Sequence, residues 1–189
     1  MTSQAGVLGG QRPVGEEGLP VALRDVGLIS WRDIEDASGS AAAIPFLLAA
    51  VASGDEPAAR NALERLQHRI CQYGFVVGQA TAVTVPFLWD LAQRPQTACR
   101  AQILRLLRDI AAARQWETIA AAYPKLRRLH GDHVEWESAA RSAVRAQRGV
   151  IPGLLAERDA EVVHATRELA ATLADRDRPG SQPTRATPA

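Results

Sequence analysis

The sequence predicts an all-α fold, a right-handed α-α superhelix of stacked helix pairs, on three observations. A short apolar phrase built around proline occurs three times: Ala-Ile-Pro-Phe-Leu-Leu at 43–48, Thr-Val-Pro-Phe-Leu-Trp at 84–89 and Val-Ile-Pro-Gly-Leu-Leu at 150–155. Each copy precedes a polar turn and a second segment whose apolar residues recur every three or four positions. Val, Ile and Thr nowhere alternate over a convincing strand length, so no sheet is expected; Phe75 to Val77 comes nearest.

In the first unit the helix holding Pro45 ends at Ser53-Gly54-Asp55-Glu56-Pro57, and the partner helix that follows presents Ala59, Leu63, Leu66 and Ile70 on one stripe. The second runs from Ala80 to Ala92, turns at Gln93-Arg94-Pro95-Gln96 and resumes with Ile103, Leu104, Leu106, Leu107 and Ile110, a broader stripe suited to packing between neighbours. The third turns at Arg158-Asp159 and continues to Leu169, Ala170 and Leu173. Asp55 and Asp159 are placed to cap the second helices, since a carboxylate there accepts the free amide hydrogens of the first turn. A proline inside each first helix is expected to remove one backbone hydrogen bond and bend the axis, letting it follow a superhelix. Pro45 and Pro86 lie 41 residues apart, within the roughly 40–47 residue period of HEAT or armadillo helix pairs. Residues 115–148 have helical patterns without the phrase and are expected to form an extra, irregular pair, with Tyr123-Pro124-Lys125-Leu126 as its worn remnant.

The 189 residues suffice for one domain with a sizeable core. Residues 1–20, rich in Gly, Pro, Gln and Glu, are expected to form a disordered or extended N-terminal segment. Residues 21–175 are assigned to the helical domain and 176–189 to a disordered tail. Charge is balanced, with 22 Lys plus Arg against 21 Asp plus Glu, and all the basic residues except Lys125 are arginine. No field draws the chain to nucleic acid or anionic lipid; neither is expected as a partner. Arg100, Arg105, Arg108 and Arg114 are interspersed with Asp90, Asp109 and Glu117. No apolar run reaches the roughly 18–20 residues of a membrane span, and no secretory signal pattern opens the chain, so a cytoplasmic location is expected. Cys71 and Cys99 have no CxxC neighbour and are expected to be buried free thiols.

Glycine-rich phosphate loops, the GxSxG elbow, HExxH and paired CxxC are absent. His130-Gly131-Asp132-His133-Val134-Glu135-Trp136-Glu137 offers metal-ligand types at no established spacing, so a turn with Asp132 capping the next helix is expected, and no metal. His68 and His164 are expected at the surface, and Trp116 and Trp136 in repeat packing. No cofactor is expected.

The series Trp31, Ala37, Gly39, Ala41, Pro45, Leu47, Leu48, Ile70, Gln72, Ala80, Thr81, Val85, Pro86, Phe87 and Leu88 resembles a group of bacterial, largely actinobacterial, HEAT-repeat proteins. The resemblance covers residues 28–175 and is specific over 31–92. In that group Trp is followed by Ala-Tyr-Gly, often with His before the Ala, and a later His-Gln-Gly precedes an aromatic residue and Ala-Thr. Here Asp36 stands at the His position, Ser38 replaces the Tyr, and Cys71-Gln72-Tyr73-Gly74 replaces His-Gln-Gly with one residue inserted.

Two readings follow. In the first the polar positions are structural, with Gln72 and the Trp31 indole satisfying buried backbone groups, and the chain binds a protein or peptide in its concave groove, as a scaffold or immunity-type partner. In the second a small-molecule pocket lies between the first two helix pairs. Trp31, Asp33, Glu35, Gln72, Gln79 and Trp89 line it, and Asp36 and Tyr73 are catalytic in a cofactor-free cyclase or isomerase of secondary metabolism.

Overall fold

The computed structural model describes residues 21–123, 125 and 131–175. The expected disordered segments, 1–20 and 176–189, and Pro124 and Leu126 of the remnant lie outside the described residues. The chain opens with two 3-10 segments, Val21–Leu28 and Trp31–Asp33, and then forms a minimal hairpin, β1 (Glu35–Asp36) with β2 (Gly39–Ser40). Helix α1 (Ile44–Ser53) and helix α2 (Glu56–Ile70) follow, then a second hairpin, β3 (Cys71–Gln72) with β4 (Val76–Val77). Helices α3 (Gln79–Ala92), α4 (Arg100–Ala112), α5 (Gln115–Ala122), α6 (Gly131–Ala146), α7 (Ile151–Leu155) and α8 (Ala160–Ala174) complete the described order.

The predicted helix pairs are present: α1 packs on α2, α3 on α4 and α7 on α8. The predicted stripe of α2, Ala59, Leu63, Leu66 and Ile70, is buried, as are all five predicted core residues of α4. Asp55 accepts the Ala58 amide at 2.9 Å, and Asp159 accepts those of Glu161 and Val162 at 3.0 and 3.2 Å; caps of this kind contribute about 1 kcal/mol each. The irregular pair is real too, as α5 against α6. Its joint is the fully buried Glu137 carboxylate, which accepts the Trp116 and Glu117 amides at 3.2 and 2.9 Å at the start of α5. His133 lies between Trp116 and Trp136, with ring centroids 4.3 and 4.8 Å away. Asp132 sits inside the first turn of α6 instead of capping it, and His68 and His164 are exposed.

Three further expectations are corrected. Only Pro86 lies inside a helix; Pro45 and Pro152 stand in the first turn of α1 and α7, each entered from a 3-10 turn, Ala41–Ala43 and Arg148–Val150. A first-turn proline replaces an amide that has no helical partner anyway, so it starts a helix and does not bend one. The third phrase forms only the five residues of α7, and the helix lying along α3 is α6, while α8 lies along α4. The expected absence of any sheet gives way to two hairpins of two residues per strand; Val76 and Val77, in the segment singled out, pair with Gln72 and Cys71. Strands this short are turn closures, beyond the reach of period-two patterning.

The core runs from Leu23 and Val26 through α1–α4 to Leu169 and Leu173. Arginines of α4 meet acids of the last pair: Arg105 with Glu161 at 2.7 Å and Arg108 with Glu168 at 3.0 Å. Arg114 lies 3.9 Å from Glu117. The arginine row is thereby paired, not presented as a bare basic face.

Candidate functional site

The start of α1, the end of α2 and the start of α3 share one end of the fold, and both hairpins are fastened there. Asp36 is the fastening point of the first. Its side chain is wholly buried; Oδ1 accepts the Ser38 amide at 2.7 Å and Oδ2 pairs with Arg69 Nη1 at 2.7 Å. The Ala37 amide reaches the Arg69 carbonyl at 3.0 Å, and the Glu35 amide donates to Gln79 Oε1 at 2.8 Å. The hairpin is thus tied to α2 by two chain-distant links and to α3 by one. Beneath it Thr81 Oγ1 donates to the Ile70 carbonyl at 2.6 Å and accepts the Gly78 amide at 3.0 Å.

The second hairpin turns through Tyr73 and Gly74 at φ 56° and 78°, with the Phe75 amide donating to the Gln72 carbonyl at 3.2 Å. Positive φ at two successive residues is what turns the chain within the three-residue connection 73–75. Glycine meets this requirement freely; tyrosine does not. Tyr73 is 77% exposed and Phe75 47%, with ring centroids 6.2 Å apart.

Of the predicted positions, the structure joins Glu35 to Gln79 by a hydrogen bond. Glu35, Asp36, Gln72, Tyr73 and Gln79 belong to the two hairpins or the start of α3, and Asp33 is exposed in the turn leading into β1. Trp31 is buried, donates from Nε1 to the Val26 carbonyl at 2.7 Å and lies 6.2 Å from the Phe87 ring, which is the backbone-satisfying role read from its sequence. Trp89 stands apart: it is fully buried, ten residues beyond Gln79 along α3, or about 15 Å of helix.

Beside this end runs a groove of about 470 Å³ lined by Val26, Ile29, Trp31, Asp33, Pro45 and Phe46, among others. Phe46 is 78% exposed, and Leu28, next to the lining residue Ile29, is 81% exposed. Sequence reading passed over both. For Phe46 a signal existed, because α1 buries Ile44, Leu47, Leu48 and Val51, a stripe of spacing three and four that leaves position 46 outside.

The chemistry on offer is limited. The Cys71 thiol, buried in β3, is pushed up to about 12 by burial and by the neighbouring Asp109 charge, and burial also raises Cys99; both thiols hold their protons at neutral pH and are poor nucleophiles. Burial raises the Asp90 carboxyl, Asp25 adds to the effect and Arg94 opposes it. Among the described residues no group of three or more His, Cys, Asp or Glu could hold a metal ion, and no helix there is long and apolar enough to cross a membrane. No protein-family model matches the chain, nor does any curated protein or solved structure.

Proposed function

We propose that this chain is a non-catalytic binding module, built as a HEAT-like right-handed superhelix of the bacterial type it resembles, that takes an apolar segment of a protein or peptide partner at its hairpin end. The groove between residues 26–33 and the first turn of α1 carries the reading: an aromatic ring left 78% exposed beside a concave apolar lining is costly to leave in water and useful against a partner. The packing of α1 on α2 and of α3 on α4, with α6 along α3 and α8 along both α4 and α7, supports the superhelix. A cytoplasmic scaffold or immunity-type partner accords with this surface. The pairing of the α4 arginines speaks against a nucleic-acid partner.

A cofactor-free cyclase or isomerase built on Asp36 and Tyr73 has less behind it. Asp36 has both oxygens engaged and no exposed side-chain surface, and neither residue is among those lining the groove.

Selection of displayed random peptides on the full chain tests the module. Enriched peptides should share an aliphatic or aromatic anchor, and Phe46→Ser should weaken them about tenfold, as loss of a partly buried anchor does. Enrichment of nothing, or equal binding to the Phe46→Ser chain, sinks the reading.

A further inference from the structure

The tip of the β3–β4 hairpin, away from the groove, carries a ring that its own fold does not explain. Tyr73 holds φ 56°, a conformation sparsely populated by bulky residues and open to asparagine or glycine at no comparable cost. Its ring is 77% exposed and lies 6.2 Å, centroid to centroid, from that of Phe75. Strain maintained for a ring that contributes little to the core points to a use outside the chain.

The surroundings state what that use is. The Tyr73 and Phe75 rings lie side by side, centroids 6.2 Å apart and planes inclined by 34°, and aromatic faces are electron-rich. Under the turn stands Asp109 of α4. Its Oδ1 accepts both Nε and Nη2 of Arg108, at 3.0 and 2.8 Å, whereas Oδ2 lies 3.9 Å from where a Cβ on Gly74 would stand, so it faces the hairpin backbone. Arg108 is shared with Glu168 at 3.0 Å, and His164 Nε2 lies 3.7 Å from that carboxylate. Two carboxylates, Asp109 and Glu168, thus share the one Arg108 guanidinium, and the Oδ2 of Asp109 is left facing the turn.

We infer that this tip is a cation-binding site, made by the Tyr73 and Phe75 rings with the Asp109 carboxylate at their base, which receives an arginine side chain of a partner polypeptide. A planar guanidinium stacks on an aromatic face and directs hydrogen bonds to a carboxylate at once, which a compact ammonium does less well. The site uses none of the groove residues, and so stands or falls separately from the groove.

The test is aromatic NMR of the full chain, with the Tyr73 and Phe75 ring resonances assigned, titrated at low salt with a blocked Gly-Arg-Gly peptide and its neutral citrulline counterpart. The arginine peptide should shift both rings saturably, with the citrulline peptide about tenfold weaker. Tyr73→Asn, which keeps the turn, and Phe75→Leu should each weaken the arginine peptide severalfold, while Phe46→Ser leaves it unchanged. Absence of a saturable shift, or equal binding of the citrulline peptide, overturns the assignment. So does full affinity in both the Tyr73→Asn and the Phe75→Leu chains.

Discussion

Arg100 and Glu157, on different helix pairs, form a two-pronged ion pair at the end of the fold opposite the hairpins. Arg100 Nη1 meets Glu157 Oε2 at 2.7 Å, Nη2 meets Oε1, and Nε donates to the Ala92 carbonyl at 2.7 Å. One guanidinium, only 6% exposed, thus closes the last carbonyl of α3, opens α4 and holds the α7–α8 turn. Glu157→Ala should destabilise the chain by about 3 kcal/mol, the low end for breaking a buried pair because Glu157 still reaches water. Arg100→Lys keeps the charge but not the fork, and should cost nearly as much. Chemical denaturation checks both; a loss below about 0.5 kcal/mol for Glu157→Ala means the pair behaves as an ordinary surface contact.

Gly54, between α1 and α2, is required by space and not by dihedral angle. Its φ is −70°, yet a Cβ there would stand 2.5 Å from the Ala50 carbonyl oxygen and 3.1 Å from the Ala59 nitrogen, both backbone atoms. Gly54→Ala should therefore lower stability by about 2 kcal/mol. A thermal midpoint equal to that of the parent chain contradicts this.

Tyr73→Asn should raise stability by about 0.5 kcal/mol, because relief of the left-handed strain exceeds the lost ring contact with Phe75. Tyr73→Gly should gain less, since glycine adds freedom to the unfolded chain. Both are read from urea midpoints. A marked loss in the Asn variant means that the ring supports the fold.

Cys71 makes the fold sensitive to alkali. Its thiol keeps the proton up to about 12 when folded, against 9.0 for a thiol in the open chain, so the unfolded chain loses that proton first as pH rises. The contribution is complete below about pH 9 and is lost progressively toward pH 12, amounting to on the order of 1–2 kcal/mol by pH 10.5. Cys71→Ala should flatten the decline in stability between pH 8.5 and 10.5 relative to the parent chain, whatever its effect at neutral pH. An unchanged slope refutes the assignment.

Much of the helical plan was legible because it is local. The stripe of α2, the caps Asp55 and Asp159, the turn at 93–96 and the helices within 115–148 follow from residues a few positions apart. The prolines were legible as a repeat but not as a structure: the same phrase starts α1 and α7 yet lies inside α3. What precedes the proline, a 3-10 turn or a full helical turn, decides which, and composition does not record it. Among the site residues, Tyr73 and Asp36 were singled out as departures from a resembling pattern, but their roles diverge, one ring exposed and one carboxylate sealed by Arg69.

By itself the sequence determined that the chain is helical, where most of its helices lie and which face of each is apolar, because hydrophobic period and capping act within one or two turns. Only the tertiary structure decided that α6 lies along α3, that Arg69 closes over Asp36, that Arg100 reaches Glu157 and that Phe46 and Tyr73 are left to solvent. Those outcomes depend on contacts between residues far apart in the chain, such as Asp36 with Arg69 at a separation of 33 and Arg100 with Glu157 at 57, and a burial pattern exists only once the layers have met.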